Sequence, residues 1–135
     1  MGNGADDSAK AKAKRWLDLF EEMLASYGVI RAVLARLPVP VGLAAWDHRW
    51  RPEALIHALK AFNRVRLELI EGQPLEERHQ ELLQMAVLDW LAAWDMSAII
   101  QQTGDPLGWQ LDVLEHLIHR AKQAAAEVAL GLGED

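Results

Sequence analysis

The chain has 135 residues, of which 51% are hydrophobic and 25% charged, and its formal net charge is −6. This composition is typical of one soluble globular domain, and it excludes disordered, collagen-like and low-complexity classes for the body of the chain. The absence of cysteine excludes disulfides, thiolate metal sites and cysteine nucleophiles, and the net negative charge argues against a simple basic nucleic-acid-binding domain.

The first predicted element is a long helix. Residues 1–7 lack an apolar segment, so we expect a flexible tail without a secretory signal, followed by Ser8 as a suitable N-cap. Apolar side chains then recur at alternating spacings of four and three residues, which indicates a helix with a heptad seam. The seam consists of Trp16, Phe20, Met23, Tyr27, Ile30, Leu34 and Leu37. Gly28 lies within it, so a helix interrupted at Gly28 stays an alternative.

Residues 38–51 are predicted to be a linker, because Pro38 and Pro40 end the first helix. Pro52 suits the first turn of a second helix. The apolar residues of that helix again follow spacings of three and four, at Leu55, Ala58, Phe62, Val65 and Leu69. Gly72 and Pro74 form a short turn, so the second and third helices are predicted to be antiparallel neighbours.

The third predicted helix covers about residues 75–102 and is apolar on almost every side, which is typical of a central helix. The alternative is a helix that buries a second face against another chain. It also carries Asp89 and Asp95, and an acid at the centre of a bilayer costs about 2.5–3.5 kcal/mol. We therefore predict a buried helix of a cytoplasmic protein rather than a membrane span. The partner of a buried Asp is expected to be Arg31, Arg36 or Arg64.

Gly104 is predicted to end the third helix, Asp105 to cap the fourth helix and Pro106 to open it. The fourth helix has a heptad series at Leu107, Leu111, Leu114, Ile118, Ala121, Ala125, Val128 and Leu132. No segment shows convincing strand alternation. The sequence therefore predicts an all-α, antiparallel four-helix bundle in a single domain over residues 8–132.

The charges are distributed unevenly along the chain. Residues 1–66 contain 11 basic and 7 acidic residues, whereas residues 67–135 contain 3 basic and 13 acidic residues. One interpretation is that the helices pack through complementary faces. The other is a molecule with one basic side and one acidic side. Such a molecule assembles head to tail, or its basic side binds an acidic partner or a nucleic-acid backbone.

The best local candidate for a binding site is the linker together with the adjacent face of the second helix. Aromatic and cationic side chains alternate there, and both are frequent at binding hot spots and on nucleic-acid-binding surfaces. The candidate residues are Trp46, Arg49, Trp50, Arg51, Lys60 and Arg64. The alternative is that the two tryptophans act as a hydrophobic plug over the bundle.

Metal-dependent catalysis is a second alternative. His116 and His119 are close enough on a helix to share a metal, with Asp112 and Glu115 at the spacing of orienting carboxylates. Glu76 and His79 give one Glu-x-x-His match, but a di-iron bundle needs such a motif on two helices. No phosphate loop or nucleophile motif occurs. We expect no metal, no cofactor and no enzyme activity.

These observations favour a non-enzymatic protein–protein interaction module, as a small subunit, adaptor or regulator that acts through helix faces and self-association. Its expected partners are another protein or further copies of itself, with no membrane contact. The main alternative is a small helical subunit of a nucleoprotein complex, whose basic N-terminal half contacts a nucleic-acid backbone. Some small subunits of CRISPR effector complexes are all-α and of this size, an analogy of fold and size without a shared motif.

Overall fold

A computed structural model describes the backbone of residues 3–133 and the side-chain surroundings of residues 7–133. Within this part of the chain there are four α-helices and no strand. The helices are α1 (Asn3–Ala35), α2 (Pro52–Arg64), α3 (Glu77–Thr103) and α4 (Gly108–Leu132), and a π-helical segment, Val65–Leu69, extends α2. The predicted all-α helical bundle is confirmed.

The α1 helix is longer than predicted and continuous. It begins at Asn3 rather than at Ser8, so the predicted tail is helical from residue 3 onward, and its first two residues lie outside the described part. The helix runs through Gly28 without a break. Gly28 is one of 33 residues in this helix, and the seam residues Tyr27 and Ile30 beside it are buried, so packing outweighs the low helix propensity of glycine.

Replacing Gly28 by alanine is expected to raise the free energy of unfolding by about 1 kcal/mol, because alanine has the higher helix propensity. A Cβ atom at Gly28 would meet no atom within 4 Å. Urea denaturation of the full chain measures the change. Gly104→Ala is the matched control and should destabilise, because Gly104 has φ of 69° at the end of α3. Equal effects at the two positions would contradict this account.

The α3 helix lies at the centre of the bundle and runs antiparallel to its neighbours. Early in α3, Arg78 bonds to Glu127 late in α4 at 2.7 Å. Further along α3, the Trp90 indole donates a hydrogen bond to the Met23 carbonyl of α1 at 2.8 Å. By contrast, α1 and α4 run parallel to each other. The bundle is thus antiparallel only around α3, because the linker runs back beside α1 to the level of Phe20 before α2 begins.

The apolar character of α3 has two physical explanations. By length and composition α3 is apolar enough to cross a membrane. An 18-residue window of this helix has a mean hydropathy of 1.2, and 44% of the window is buried in the bundle. The central helix of a soluble bundle meets the same criterion, so this is weak support for a membrane span.

The predicted cap at the junction between α3 and α4 differs from the structure. The Gln110 side chain, rather than Asp105, accepts a hydrogen bond at the start of α4, from the Leu107 N–H at 3.0 Å.

The linker is held against the bundle by side chains that bond to its backbone. Gln73, in the turn before α3, accepts from the Val39 N–H at 2.9 Å and donates to the Val39 carbonyl at 2.7 Å. From α1, the Tyr27 hydroxyl donates to the Ala44 carbonyl, and Arg31 donates to the Leu43 carbonyl. These bonds satisfy linker groups that have no helical partner, and they fix the path of the chain toward the predicted site.

Candidate functional site

The six predicted binding residues do not form a single patch. Trp46 belongs to an aromatic cluster in the core, where its ring centroid lies 5.1 Å from those of Trp50 and Trp94, and 5.3 Å from that of Tyr27. Its ring also lies 5.6 Å from that of Trp90, which is fully buried. Trp46 therefore seals the core from the linker side, which is the arrangement expected of the hydrophobic plug.

Two linker arginines have different surroundings. Arg49 folds back onto Asp47, with 3.1 Å between Nε and Oδ1, and the Arg49 N–H donates to the same carboxylate at 2.9 Å. These bonds hold the pKa of Asp47 below its usual value and raise that of Arg49. Arg51 is exposed at the start of α2, and the described part of the chain gives it no ion pair. Arg49 is thus partly neutralised, whereas Arg51 keeps its charge on the surface.

Lys60 and Arg64 lie one turn apart on the exposed side of α2, as the sequence indicates. The Arg64 Nε lies 2.7 Å from Glu68, which is the predicted i,i+4 ion pair. Lys60 instead lines a groove of ≈ 310 Å³ between α2 and α3, together with Asp95 on the opposite side. The two charges do not form an ion pair with each other within the described residues.

This groove belongs to a larger surface that we call the α2–α3 face. Large apolar side chains on this face are about half exposed, at 53% for Ile56, 55% for Leu67, 49% for Leu88 and 48% for Ile99. A second groove of ≈ 310 Å³ lies between the π-helical segment and α3, and Leu67 and Leu88 are among the residues that line it. An apolar surface that spans two neighbouring helices is the usual form of a helix-docking site.

Sequence reasoning missed the apolar residues of the α2–α3 face. The predicted stripe of α2 consists of the residues that face the core, such as Phe62 and Val65, which are buried. Ile56 and Leu67 lie outside that stripe, on the far side of the helix. Apolar residues outside an otherwise regular stripe were therefore the available signal.

A different groove, of ≈ 480 Å³, lies between the linker and α2. It contains Trp50, which is half-buried, and Tyr27, which is 2% exposed. Ala54, His57 and Ala58 of α2 are among its other lining residues. Of the six predicted residues, only Trp50 contributes to this groove.

The carboxylates near the two histidines of α4 have another partner. Arg15 of α1 lies 2.8 Å from Asp112 and 2.7 Å from Glu115, which raises the pKa of Arg15. The hypothesis that these carboxylates orient His116 and His119 is therefore replaced by an ion-pair network. Within residues 7–133, no group of three or more potential ligands is arranged to hold a metal.

Part of the uneven charge is matched inside the molecule. Arg15 joins the basic N-terminal half to the acidic C-terminal half, and Lys122 lies 3.1 Å from Glu22 in the reverse direction. These contacts support the interpretation that the helices pack through complementary faces. They are exposed enough to contribute little to stability individually.

Comparison with family models, curated proteins and solved structures finds no match to this chain. The fold by itself defines the class of this protein, which is an all-α helical bundle. Among the surfaces of the bundle, the α2–α3 face combines four half-exposed large apolar side chains with Lys60 and Asp95, which have no ion-pair partner among residues 7–133.

Proposed function

We propose that this protein is a non-enzymatic protein–protein interaction module whose binding surface is the α2–α3 face. The observation that carries the proposal is the alignment of four half-exposed large apolar residues on two adjacent helices, at Ile56, Leu67, Leu88 and Ile99. Single exposed apolar residues are normal on protein surfaces. Several of them on two adjacent helices, with grooves between the helices, are characteristic of an interface.

The spacing of these residues supports the proposal. On α3, Leu88 and Asp95 are seven residues apart and Ile99 follows four residues later, so they lie along one side of the helix. The opposite side of α3 contains Ala86, Ala93 and Ile100, which are buried in the bundle. The α3 helix thus has a complete core side and a second apolar side without a partner among residues 7–133. This second side is what a central helix needs in order to bury surface against another chain.

Energetics favours association through this face. Removing apolar surface from water contributes about 25 cal/mol per Å², so a half-exposed Leu or Ile still has a large part of its transfer free energy to gain. A partner side chain that enters one of the grooves contacts both α2 and α3, which increases the apolar surface that it buries. The remaining charges on the face, Lys60 and Asp95, restrict which partners fit.

Leu88→Glu is expected to abolish association, because it places a charge at the centre of the face and a buried unpaired charge is strongly unfavourable. Light scattering during size-exclusion chromatography of the full chain, at low and high salt, measures the assembly mass. Leu130→Glu is the matched control, because Leu130 is 73% exposed on α4, away from the face. The wild type and the control should form the same assembly, and Leu88→Glu should elute as a monomer.

Two outcomes would contradict the proposal. The first is an assembly of unchanged mass in Leu88→Glu, which would place the interface elsewhere. The second is a particle that contains nucleic acid, dissociates in high salt and is unaffected by Leu88→Glu. That result would favour the nucleoprotein subunit, since phosphate contacts are weakened by salt and do not depend on an apolar face.

A further inference from the structure

We propose that the partner of the α2–α3 face is a second copy of this chain, bound as a symmetric dimer in which Lys60 of each copy pairs with Asp95 of the other. The inference rests on the proposed function and specifies the occupant of the face. Its basis is the register of α2 against α3, which makes the face complementary to itself.

The register is set by the antiparallel packing of α2 on α3. Lys60 and Asp95 are the charged residues that line one groove, so they lie on the two sides of the same stretch of the boundary between α2 and α3. Leu67 and Leu88 line a second groove, which lies further along the chain from α2 and nearer the start of α3. Moving toward the end of α2 therefore corresponds to moving toward the start of α3.

The spacing on the two helices is equal in both directions from this charged pair. Ile56 lies four residues before Lys60, and Ile99 lies four residues after Asp95. Leu67 lies seven residues after Lys60, and Leu88 lies seven residues before Asp95. Taken in order along the boundary between α2 and α3, each of these side chains on the α2 side has a counterpart of matching chemistry on α3. Apolar residues match apolar residues, and the cation matches the anion.

A two-fold axis that runs parallel to the helices, along the boundary between α2 and α3, brings the matching residues of two copies together. The rotation places α2 of one copy over α3 of the other and leaves every level unchanged. Lys60 then meets Asp95 of the second copy, Leu67 meets Leu88, and Ile56 meets Ile99. Because the axis is two-fold, each of these contacts is made twice, as in every isologous interface.

The charges on the face are available for this pairing. Within residues 7–133, neither Lys60 nor Asp95 takes part in an ion pair or a side-chain hydrogen bond. Their neighbour Arg64 bonds to Glu68, and Arg66 bonds to Asn63 at 2.9 Å. The one cation and the one anion of the face that have no partner are thus the two that the symmetry brings together. Such a pair contributes to specificity and register when apolar contacts surround it.

Two charge reversals test the arrangement. Lys60→Glu alone places two carboxylates at each contact, and Asp95→Lys alone places two ammonium groups there, so each variant should be monomeric. Mixing the two variants restores an opposite-charge pair at both contacts, and a heterodimer should form. At about tenfold per contact, each single variant should dimerise roughly 100-fold more weakly than the wild type. Sedimentation equilibrium on the full chains measures these dissociation constants.

Lys12→Glu is the matched control, because it changes the net charge by the same amount at an exposed position of α1. It should dimerise like the wild type, and circular dichroism should show equal helicity in all variants. A mixture that stays monomeric would overturn the symmetric pairing, as would single variants that stay dimeric. If Leu88→Glu still abolishes wild-type association in that case, the face is correct and only the arrangement is wrong. A wild type that is monomeric at every concentration would overturn the dimer. Association that is unaffected by Leu88→Glu would also overturn the proposed function.

Discussion

Trp90→Ala is expected to lower the free energy of unfolding by about 4 kcal/mol, the largest single loss in the chain. Trp90 is fully buried, and its ring lies 5.3 Å from those of Tyr27 and Phe62. Its indole N–H donates to the Met23 carbonyl at 2.8 Å. Removing this side chain leaves a cavity where α1, α2 and α3 meet, so the loss includes a transfer term and a cavity term.

Urea denaturation followed by circular dichroism measures the loss, and two further variants separate its causes. Trp90→Phe keeps most of the apolar volume and removes the indole donor, so it should cost about 1–2 kcal/mol. Trp16→Ala removes a tryptophan that is half-buried at the edge of the cluster, so the loss should be clearly smaller. If Trp90→Ala and Trp16→Ala destabilised the protein equally, Trp90 would not be the centre of the core.

The four helices and most of the core could be predicted from local spacing. The α1 seam is an example, because Met23, Ile30 and Leu34 are all fully buried. Spacing is informative here because a helix that buries one side has to repeat apolar residues every three or four positions. The end of α3 could also be predicted locally, from the glycine stop signal at Gly104, and the helix ends there with this residue in the left-handed conformation.

The candidate site could be predicted only in part, because it depends on long-range topology. The Trp–Arg pattern of the linker indicates an exposed hot spot, but Trp46 instead contacts a core that is formed by α1 and α3. A pattern of residue types gives no information on which ring the tertiary structure covers. The apolar face depends on the tertiary structure, which brings Leu67 and Leu88, distant in sequence, to the same groove.

The partner of Asp89 shows the same limit. The sequence predicts that a buried Asp needs an arginine and names Arg31, Arg36 or Arg64. The structure instead places Arg120 of α4 beside it, with 3.2 Å between Nε and Oδ2. The need for a partner follows from the cost of burying a charge, which is local chemistry. The identity of the partner follows from the antiparallel packing of α3 on α4, which the charge pattern does not show.

Arg120→Met is expected to lower the free energy of unfolding by about 2 kcal/mol at neutral pH, because it leaves the Asp89 carboxylate without its countercharge. Asp89 is 7% exposed, and its Oδ2 accepts no hydrogen bond within the described residues. Methionine keeps an apolar side chain at this position, so the loss reports on the guanidinium, which also donates to the Met85 Sδ at 3.3 Å. Asp89→Asn in the same background should restore most of the stability, since the neutral amide needs no countercharge.

The pH dependence separates a charge effect from a packing effect. Burial raises the pKa of Asp89, whereas Arg120 and His116 lower it. Removing Arg120 therefore raises this pKa further. A carboxyl group with a higher pKa in the folded state binds its proton more tightly there, so it stabilises the fold at low pH and loses that contribution as pH rises through the folded pKa. The difference between Arg120→Met and the wild type should therefore shrink as pH falls from about 7 toward 4, the usual range of an Asp pKa. In the Asp89→Asn background, Arg120→Met should have an effect that does not change with pH. A constant difference in both backgrounds would mean that Arg120 stabilises the bundle through packing alone.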